Sequence, residues 1–377
     1  MKLGVDLSIQ EELDALGAKY YYRKKLVEPF SFFATHSHIS MVRLRLWHDP
    51  YDEKGQPYGG GTNDLETTLK LARRARDNNM GIILDFHYSD FWVDPSRQKL
   101  PKAWASKSFK EVKELLFNYT KDTLFLFKKE NINVVAVQVG NEITHGMLFP
   151  YGDINLEDNI ETGGGFLGHV TLFNAGSEAA KSVYPNVKVI CHIEHAASKD
   201  LQDWYYSKMN EYGAKYDVIG ESFYPYWHGS LNEFKESISF IRDKFNKEIW
   251  VMEMGYEYAK SKVKGHHSEY QEDGSGMFIE GNINGRIPFP LTKTGQKEYL
   301  KHFLKICKDI GVGAVNYWEP TWVLMKNNGW AKPAGQRYCD LKVTKAYNDW
   351  ANETLFDFKG HANIGINIFT QDYVDKL

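Results

Sequence analysis

Two glutamates stand at the ends of apolar runs. Glu142 follows Asn141 just past Val134-Val135-Ala136-Val137, and Glu253 closes a second run that begins at Trp250. A carboxyl that can deliver a proton, set against a second that can attack carbon or activate water, is the minimum equipment for cleaving a glycosidic bond. Either glutamate alone reads as a solvated loop residue or half of an ion pair. Together, with Arg45, Tyr224 and Trp318 at other run ends, they read as a site. Other chemistries fit less well. His192, Glu194 and His195, and the pair His266-His267, invite a metal, but H-E-x-x-H is absent. Along a strand, moreover, a spacing of three sends two side chains to opposite faces. No G-x-S-x-G marks a serine nucleophile, and no G-x-G-x-x-G or P-loop follows any run. Gly163-Gly164-Gly165 reads as a turn before a helix. Cys191, Cys307 and Cys339 are far apart without a C-x-x-C pair, which argues against a zinc knuckle or disulfide framework.

The residues around the two glutamates are those of a sugar cleft. Past the ends of the other apolar runs come Asp85, His87, Asp90, Trp92 and Asp94, then Glu221, Ser222, Tyr224 and Trp227, then Trp318 and Glu319. Seven of the ten tryptophans (47, 92, 104, 227, 318, 322 and 330) fall at or beyond run ends. A cleft that stacks pyranose rings needs them there; a core does not.

What must position them is a set of eight short runs rich in Val, Ile and aromatics: Lys2–Ser8, Met41–Trp47, Gly81–Ser89, Asn133–Gly140, Lys188–His195, Asp217–Pro225, Glu248–Gly255 and Gly313–Pro320. Continuous apolar character fits strands buried on both faces, hence a parallel sheet. Helical patterns alternate with them. Asp64–Asn79 carries Leu65, Leu69 and Ala72 at helical spacing, and Thr294–Ile310 is amphipathic. Ser108 with Glu111, and Ser230 with Glu233, have the capping-box spacing that starts a helix. Eight strands alternating with helices, without a linker or composition break, predict an α/β fold: one (β/α)₈ barrel, a single catalytic domain over 1–377 with long βα loops. A minimal barrel takes roughly 250 residues, so more than about 100 of the 377 remain for loops, chiefly Tyr256–Pro290 and Thr321–Lys342. A doubly wound sheet is the competing architecture. Catalytic groups of such a barrel sit at the C-terminal ends of its strands, where the list above falls.

The 46 basic and 49 acidic side chains leave a net charge of −3, without the basic footprint of a nucleic-acid or anionic-membrane binder. Neither partner is expected. There is no charge-free run long enough to span a bilayer and no leader pattern at the N-terminus, which implies a cytoplasmic protein, or a secreted one if a leader has been removed.

The segments that carry this chemistry resemble the arabinogalactan endo-β-1,4-galactanases of glycoside hydrolase family 53, in the clan of barrels with catalytic carboxylates on strands four and seven. They are GVDLS (4–8), RLRLWHDP (43–50), LDFHYSDFWVDP (84–95), PKAW (101–104), VQVGNEI (137–143), DVIGESFYPYW (217–227), WVMEMGY (250–256) and NYWEPTW (316–322). The tail LFDFKGHANIGINIF (355–369) resembles bacterial members. The resemblance implies a retaining enzyme that cleaves β-1,4-galactan or galacto-oligosaccharides, without a cofactor and as a monomer. Glu142 becomes the acid/base and Glu253 the nucleophile, with Arg45 and Tyr224 flanking Glu253 and Asn141 on the hydroxyl beside the anomeric carbon. Trp318 lies under the sugar at the cleavage point, Trp227 is a further stacking platform, and Asp85, His87, Asp90, Trp92, Asp94 and Trp104 line neighbouring sugar positions. A clan relative acting on mannan or glucan, or a non-catalytic glycan-binding barrel, are the rival readings. Two places depart from the family: Glu221 stands where an apolar residue is usual, so a buried charge there needs a partner, and His192–His195 has unusual wording. Some secreted members carry calcium between the loops after strands seven and eight; Glu272, Asp273 and Glu280 read instead as a solvated acidic loop, so no metal is expected.

Overall fold

The computed structural model describes residues 1–259, 287–345 and 348–377. The segment holding His266, His267, Glu272, Asp273 and Glu280, central to the expected Tyr256–Pro290 loop, lies outside them. Eight parallel strands close into a barrel: β1 Lys2–Asp6, β2 Met41–Leu46, β3 Gly81–Phe86, β4 Val134–Val139, β5 Lys188–Ile193, β6 Val218–Phe223, β7 Glu248–Met254 and β8 Ala314–Tyr317. They neighbour one another in chain order, and β8 returns to β1 with Lys2 opposite Ala314. Each of the eight expected runs contains one of them.

Side-chain alternation sorts each strand into two faces. Outward residues such as Val42, Leu44, Ile82, Leu84, Val137 and Val139 join the large core between barrel and helices. Inward residues first form an apolar plug of Met41, Ile83, Ala136, Ile190, Val218, Trp250, Met252 and Ala314. Two residues further along, the same face turns polar with Arg43, Asp85, Gln138 and His192, all buried. Gly4 is required at this level, because a Cβ there would stand 2.0 Å from Asn316 Oδ1.

The barrel helices are α1 Pro29–Thr35, α2 Leu65–Asp77, α3 Phe109–Lys129, α4 Gly165–Val183, α5 Lys199–Glu211, α6 Leu231–Phe245, α7 Lys293–Asp309 and α8 Gln371–Lys376. The capping boxes of Ser108 with Glu111 and Ser230 with Glu233 both form, at the starts of α3 and α6. Asp64 and Thr292 cap α2 and α7 through their side chains. Each cap satisfies backbone N–H groups that have no partner inside the helix. Gln371 of α8 reaches under the barrel to accept from Leu3 N (3.1 Å) and donate to Met1 O (3.0 Å). Among the described residues, no helix is long and apolar enough to cross a membrane.

One irregularity matters for chemistry. Between β6 and β7, Glu221 pairs with Val251 but Ser222 pairs with Glu253, so β7 carries one extra residue. Such a bulge re-aims the side chains beyond it. Met252 belongs to the apolar plug, and Glu253, next in the chain, also faces the interior. Regular alternation would have pointed Glu253 at the helices.

Candidate active site

The C-terminal mouth of the barrel opens into a cleft of about 480 Å³. Its floor is Arg43, Asp85, His87, Asn141, Glu142 and Glu253, and its walls include Trp92, Trp318, Trp322, Trp330 and Trp350.

Arg43 organises the floor. It is 1% exposed and sits two residues above the apolar plug on the same face of β2. Its fork donates to Asp6 Oδ2 (3.1 Å), Asp85 Oδ2 (2.9 Å), Gln138 Oε1 (3.1 Å) and Asn141 Oδ1 (2.9 Å), and pairs with Glu253 Oε1 at 2.9 Å. A planar guanidinium can serve so many acceptors where an ammonium cannot. Tyr224 Oη donates to the other oxygen of Glu253 at 3.0 Å. His87 is held between rings and carboxylate: Trp47 Nε1 donates to its Nδ1 at 3.1 Å, so Nε2 carries the proton and donates to Asp85 Oδ2 at 3.1 Å.

Glu142 stands opposite, with φ of 47°. A non-glycine residue in the left-handed region costs about 1–3 kcal/mol and persists where surrounding contacts hold it. Its Oε1 lies 2.8 Å from Ser222 Oγ. One oxygen of Glu142 and one of Glu253 lie within 4.8 Å of each other. Burial pushes both carboxyls above their usual range, Glu142 furthest, because the charges of Glu253 and Glu194 also oppose its ionisation. Arg43 and Tyr224 pull Glu253 back toward the charged form, and among the described residues no cation pairs with Glu142. A proton shared by the pair therefore rests on Glu142.

With His192, these carboxylates bring three donor atoms within metal-ligand reach of one another. The donors are already committed, however. His192 Nδ1 meets Asn141 Oδ1 (3.1 Å), its Nε2 meets Ser222 Oγ (2.9 Å), and Arg43 puts a positive charge on Glu253. The set suits proton transfer rather than a resident cation.

Of the residues singled out in the sequence, Asp85, His87, Trp92, Asp94, Asn141, Glu142, Glu253 and Trp318 line the cleft, and Tyr224 reaches it through Glu253. Three need correction, and a fourth, Trp227, is not brought to the cleft lining among the described residues. Arg45 lines the cleft but does not flank Glu253; its guanidinium pairs with buried Glu319, donates to Gly60 O (2.7 Å) and lies 4.3 Å from the Trp92 ring centre. It supports a wall. Asp90 is fully buried, accepting from the backbone N–H groups of Asp49 (3.1 Å) and Lys102 (2.7 Å). Trp104 is 3% exposed and packed edge-on against His48 and Tyr119. Trp227 packs against Tyr224 at 5.2 Å and is not among the residues that line the cleft. Glu221 has the partner its burial demands: Tyr206 Oη donates to it at 3.0 Å.

The site also contains residues that sequence reasoning did not place. Arg43 and Arg45 share one face of β2, and nothing local says which is deeper. Trp350 arrives from near the C-terminus, donating to Trp318 O (3.0 Å) and packing edge-on against Trp318 at 4.6 Å. No pattern at position 350 signals that journey. Trp322 and Trp330 carried a signal in their place beyond the last strand.

A parallel eight-stranded barrel with two close carboxylates on the ends of its fourth and seventh strands, in an aromatic cleft, defines a glycoside hydrolase by fold and site. The chain belongs to glycosyl hydrolase family 53, whose sequence model matches residues 2–369. It is 30% identical to the endo-beta-1,4-galactanase of Bacillus subtilis (strain 168), over 97% of this chain and 84% of that protein. It is 31% identical to the arabinogalactan endo-beta-1,4-galactanase of Cellvibrio japonicus (strain Ueda107), over 98% and 91%. The solved GH53 catalytic domain of Ignisphaera aggregans superimposes with a TM-score of 0.85 at 31% identity, over 97% of this chain and 94% of that one.

Proposed function

We propose that this chain is a retaining endo-β-1,4-galactanase acting on galactan or galacto-oligosaccharides, with Glu253 as nucleophile and Glu142 as acid/base. The observation that carries the mechanism is that an oxygen of one carboxylate lies within 4.8 Å of an oxygen of the other. Inverting enzymes keep about 6.5–9.5 Å between carboxyl groups to admit a water, and retaining ones about 5–5.5 Å. The galactanase relatives at 30% and 31% identity support the substrate.

In this reading the galactose ring at the cleavage point lies against Trp318. Glu253, kept ionised by Arg43 and oriented by Tyr224, attacks the anomeric carbon. Glu142 gives its proton to the departing glycosidic oxygen. Water then enters, Glu142 takes a proton from it, and the ester to Glu253 breaks with a second inversion. Asn141 spends one amide N–H on Val93 O (3.1 Å), and its other N–H is placed for the sugar hydroxyl beside the reacting carbon. That contact strengthens as positive charge grows on the ring.

The test combines products and stereochemistry. Galactan should be cleaved in preference to mannan and cellulose, and proton NMR should show the β-anomer first. Glu142→Ala should still release a good aryl leaving group and then be rescued by azide as the β-azide, while Glu253→Ala stays inactive on every substrate. An initial α-anomer, or an α-azide from Glu142→Ala, would overturn the assignment of roles.

A further inference from the structure

Glu142 is joined to the polar floor by an unbroken chain of hydrogen bonds. Its Oε1 lies 2.8 Å from Ser222 Oγ, Ser222 Oγ lies 2.9 Å from His192 Nε2, and His192 Nδ1 lies 3.1 Å from Asn141 Oδ1. Counting hydrogens gives the chain a direction. Asn141 is oriented by three neighbours: Arg43 and Gln138 donate to its Oδ1, and its Nδ2 donates to Val93 O. An amide oxygen only accepts, so His192 Nδ1 must carry a proton. A neutral His192 then has a bare lone pair on Nε2, and the one hydrogen of Ser222 fills it. That hydrogen is now used, so Ser222 can only accept from Glu142, and Glu142 must hold the proton. The chain closes without conflict in one state alone, with Glu142 protonated.

Ionising Glu142 breaks this order. The serine hydroxyl turns to the carboxylate, and His192 Nε2, fully buried, loses its donor. An unsatisfied buried acceptor is costly, so His192 favours the acid form of Glu142. His192 stays neutral because burial, and then any positive charge on Arg43, His87 or His228, opposes its protonation. Among the described residues, the charged and titratable groups around the chain include Arg43 from β2, Asp85 and His87 from β3, Asp94 beyond β3, Glu194 beyond β5, Tyr224 and His228 beyond β6 and Glu253 from β7.

We infer that Ser222 is a two-position hydroxyl, held on His192 while Glu142 carries its proton and turned to Glu142 once that proton has left. Ser222 and His192 are thus positioning residues for the acid, an inference that rests on the role proposed for Glu142. The cycle balances. As the glycosidic C–O bond breaks and the Glu253 ester forms, the Glu142 proton goes to the departing oxygen, and the Ser222 hydrogen rotates without leaving its own oxygen. As water bonds to the anomeric carbon and the ester breaks, water's proton returns to Glu142 and Ser222 rotates back.

The two positions predict opposite signs for two variants. Made in the His192→Phe background, where no imidazole is left to strand, Ser222→Ala removes the donor that stabilises the carboxylate and should move the ionisation of Glu142 up by about one pH unit relative to His192→Phe alone. His192→Phe frees Ser222 to serve the carboxylate permanently and should move it down by about one unit. Ser222→Thr keeps the hydroxyl and should restore the parent value. The measurement is an infrared pH titration of the protonated carboxyl band on the full chain, assigned by its loss in Glu142→Gln. Shifts of the same sign, or no shift on adding Ser222→Ala to His192→Phe, would overturn the inference. Nitrogen-15 NMR of the parent protein gives a check that needs no fragile variant: His192 should be protonated at Nδ1 below the ionisation of Glu142, and a proton on Nε2 there would overturn it too. Should Glu142→Gln keep full activity on galactan while the titration behaves as described, the catalytic role of Glu142 falls and the hydroxyl relay stands.

Discussion

Replacing Arg43 by methionine separates the two arginines of β2. The guanidinium of Arg43 serves Asp6, Asp85, Gln138, Asn141 and Glu253 from a position 1% exposed. A hydrogen bond to a charged group contributes about 1.5–3 kcal/mol, and one pKa unit is about 1.4 kcal/mol, so loss of the contact should raise the pKa of Glu253 by about 1–2 units. Glu253 must be ionised to attack, so the acidic limb of kcat/KM moves to higher pH by that amount, and activity at a fixed pH below it falls about 10- to 100-fold. Removing one partner of a buried ion pair costs about 3–5 kcal/mol of stability. For a chain of 377 residues, the entropy of unfolding turns that into a fall in Tm of about 4–6 °C. Arg45→Met also strands a buried carboxylate, Glu319, and should cost comparable stability. It touches Trp92 rather than Glu253, so KM should rise while the acidic limb stays in place. Rate profiles of the two variants against pH, with thermal unfolding of each, decide the matter. An acidic limb that moves in Arg45→Met and not in Arg43→Met would refute the reasoning.

Two tryptophans expected together at the cleft should now part company. Trp318→Ala should lower kcat/KM on galactan by about 10- to 100-fold with little change in Tm, since it removes an apolar face offered to substrate; Trp104→Ala should cost about 3–5 kcal/mol of stability and leave kcat of the folded enzyme intact. Steady-state kinetics beside thermal melts would expose the reverse pattern. Burial, offset in part by the Tyr206 hydroxyl, holds the Glu221 carboxyl well above its ordinary value of 4.5. The folded chain therefore keeps a proton that the unfolded chain releases, so this group's contribution falls as pH rises above the unfolded value. Glu221→Gln should remove that slope, and its Tm advantage over the parent should widen between about pH 5 and pH 8. Parallel Tm curves across that interval would show Glu221 to be ionised in the fold.

Much of this molecule is legible along the chain because its causes are local. The barrel strands need residues that tolerate burial on both faces, and eight such runs stand out. Helix starts depend on one side chain reaching a backbone N–H three residues away, so Ser108 with Glu111 and Ser230 with Glu233 mark α3 and α6 correctly. Glu142 and Glu253 are visible as a pair at the ends of two apolar runs, with polar and aromatic residues at the other run ends; either one alone has an ordinary structural reading. Tertiary structure decided the rest. Alternation puts Arg43 and Arg45 on the same face of β2, but only the stagger of the closed barrel sets which lies level with Glu253. The extra residue in β7 that turns Glu253 inward is a property of pairing with β6, and neither strand reveals it alone. Trp104 and Asp90 follow strand three as cleft residues would, yet they are buried by the loops that fold over them. Trp350 reaches the cleft from beyond the eighth strand because the chain after it wraps back over the barrel mouth. Period and capping are short-range and written in neighbouring residues, whereas depth, register and the return of distant loops depend on how the whole barrel closes.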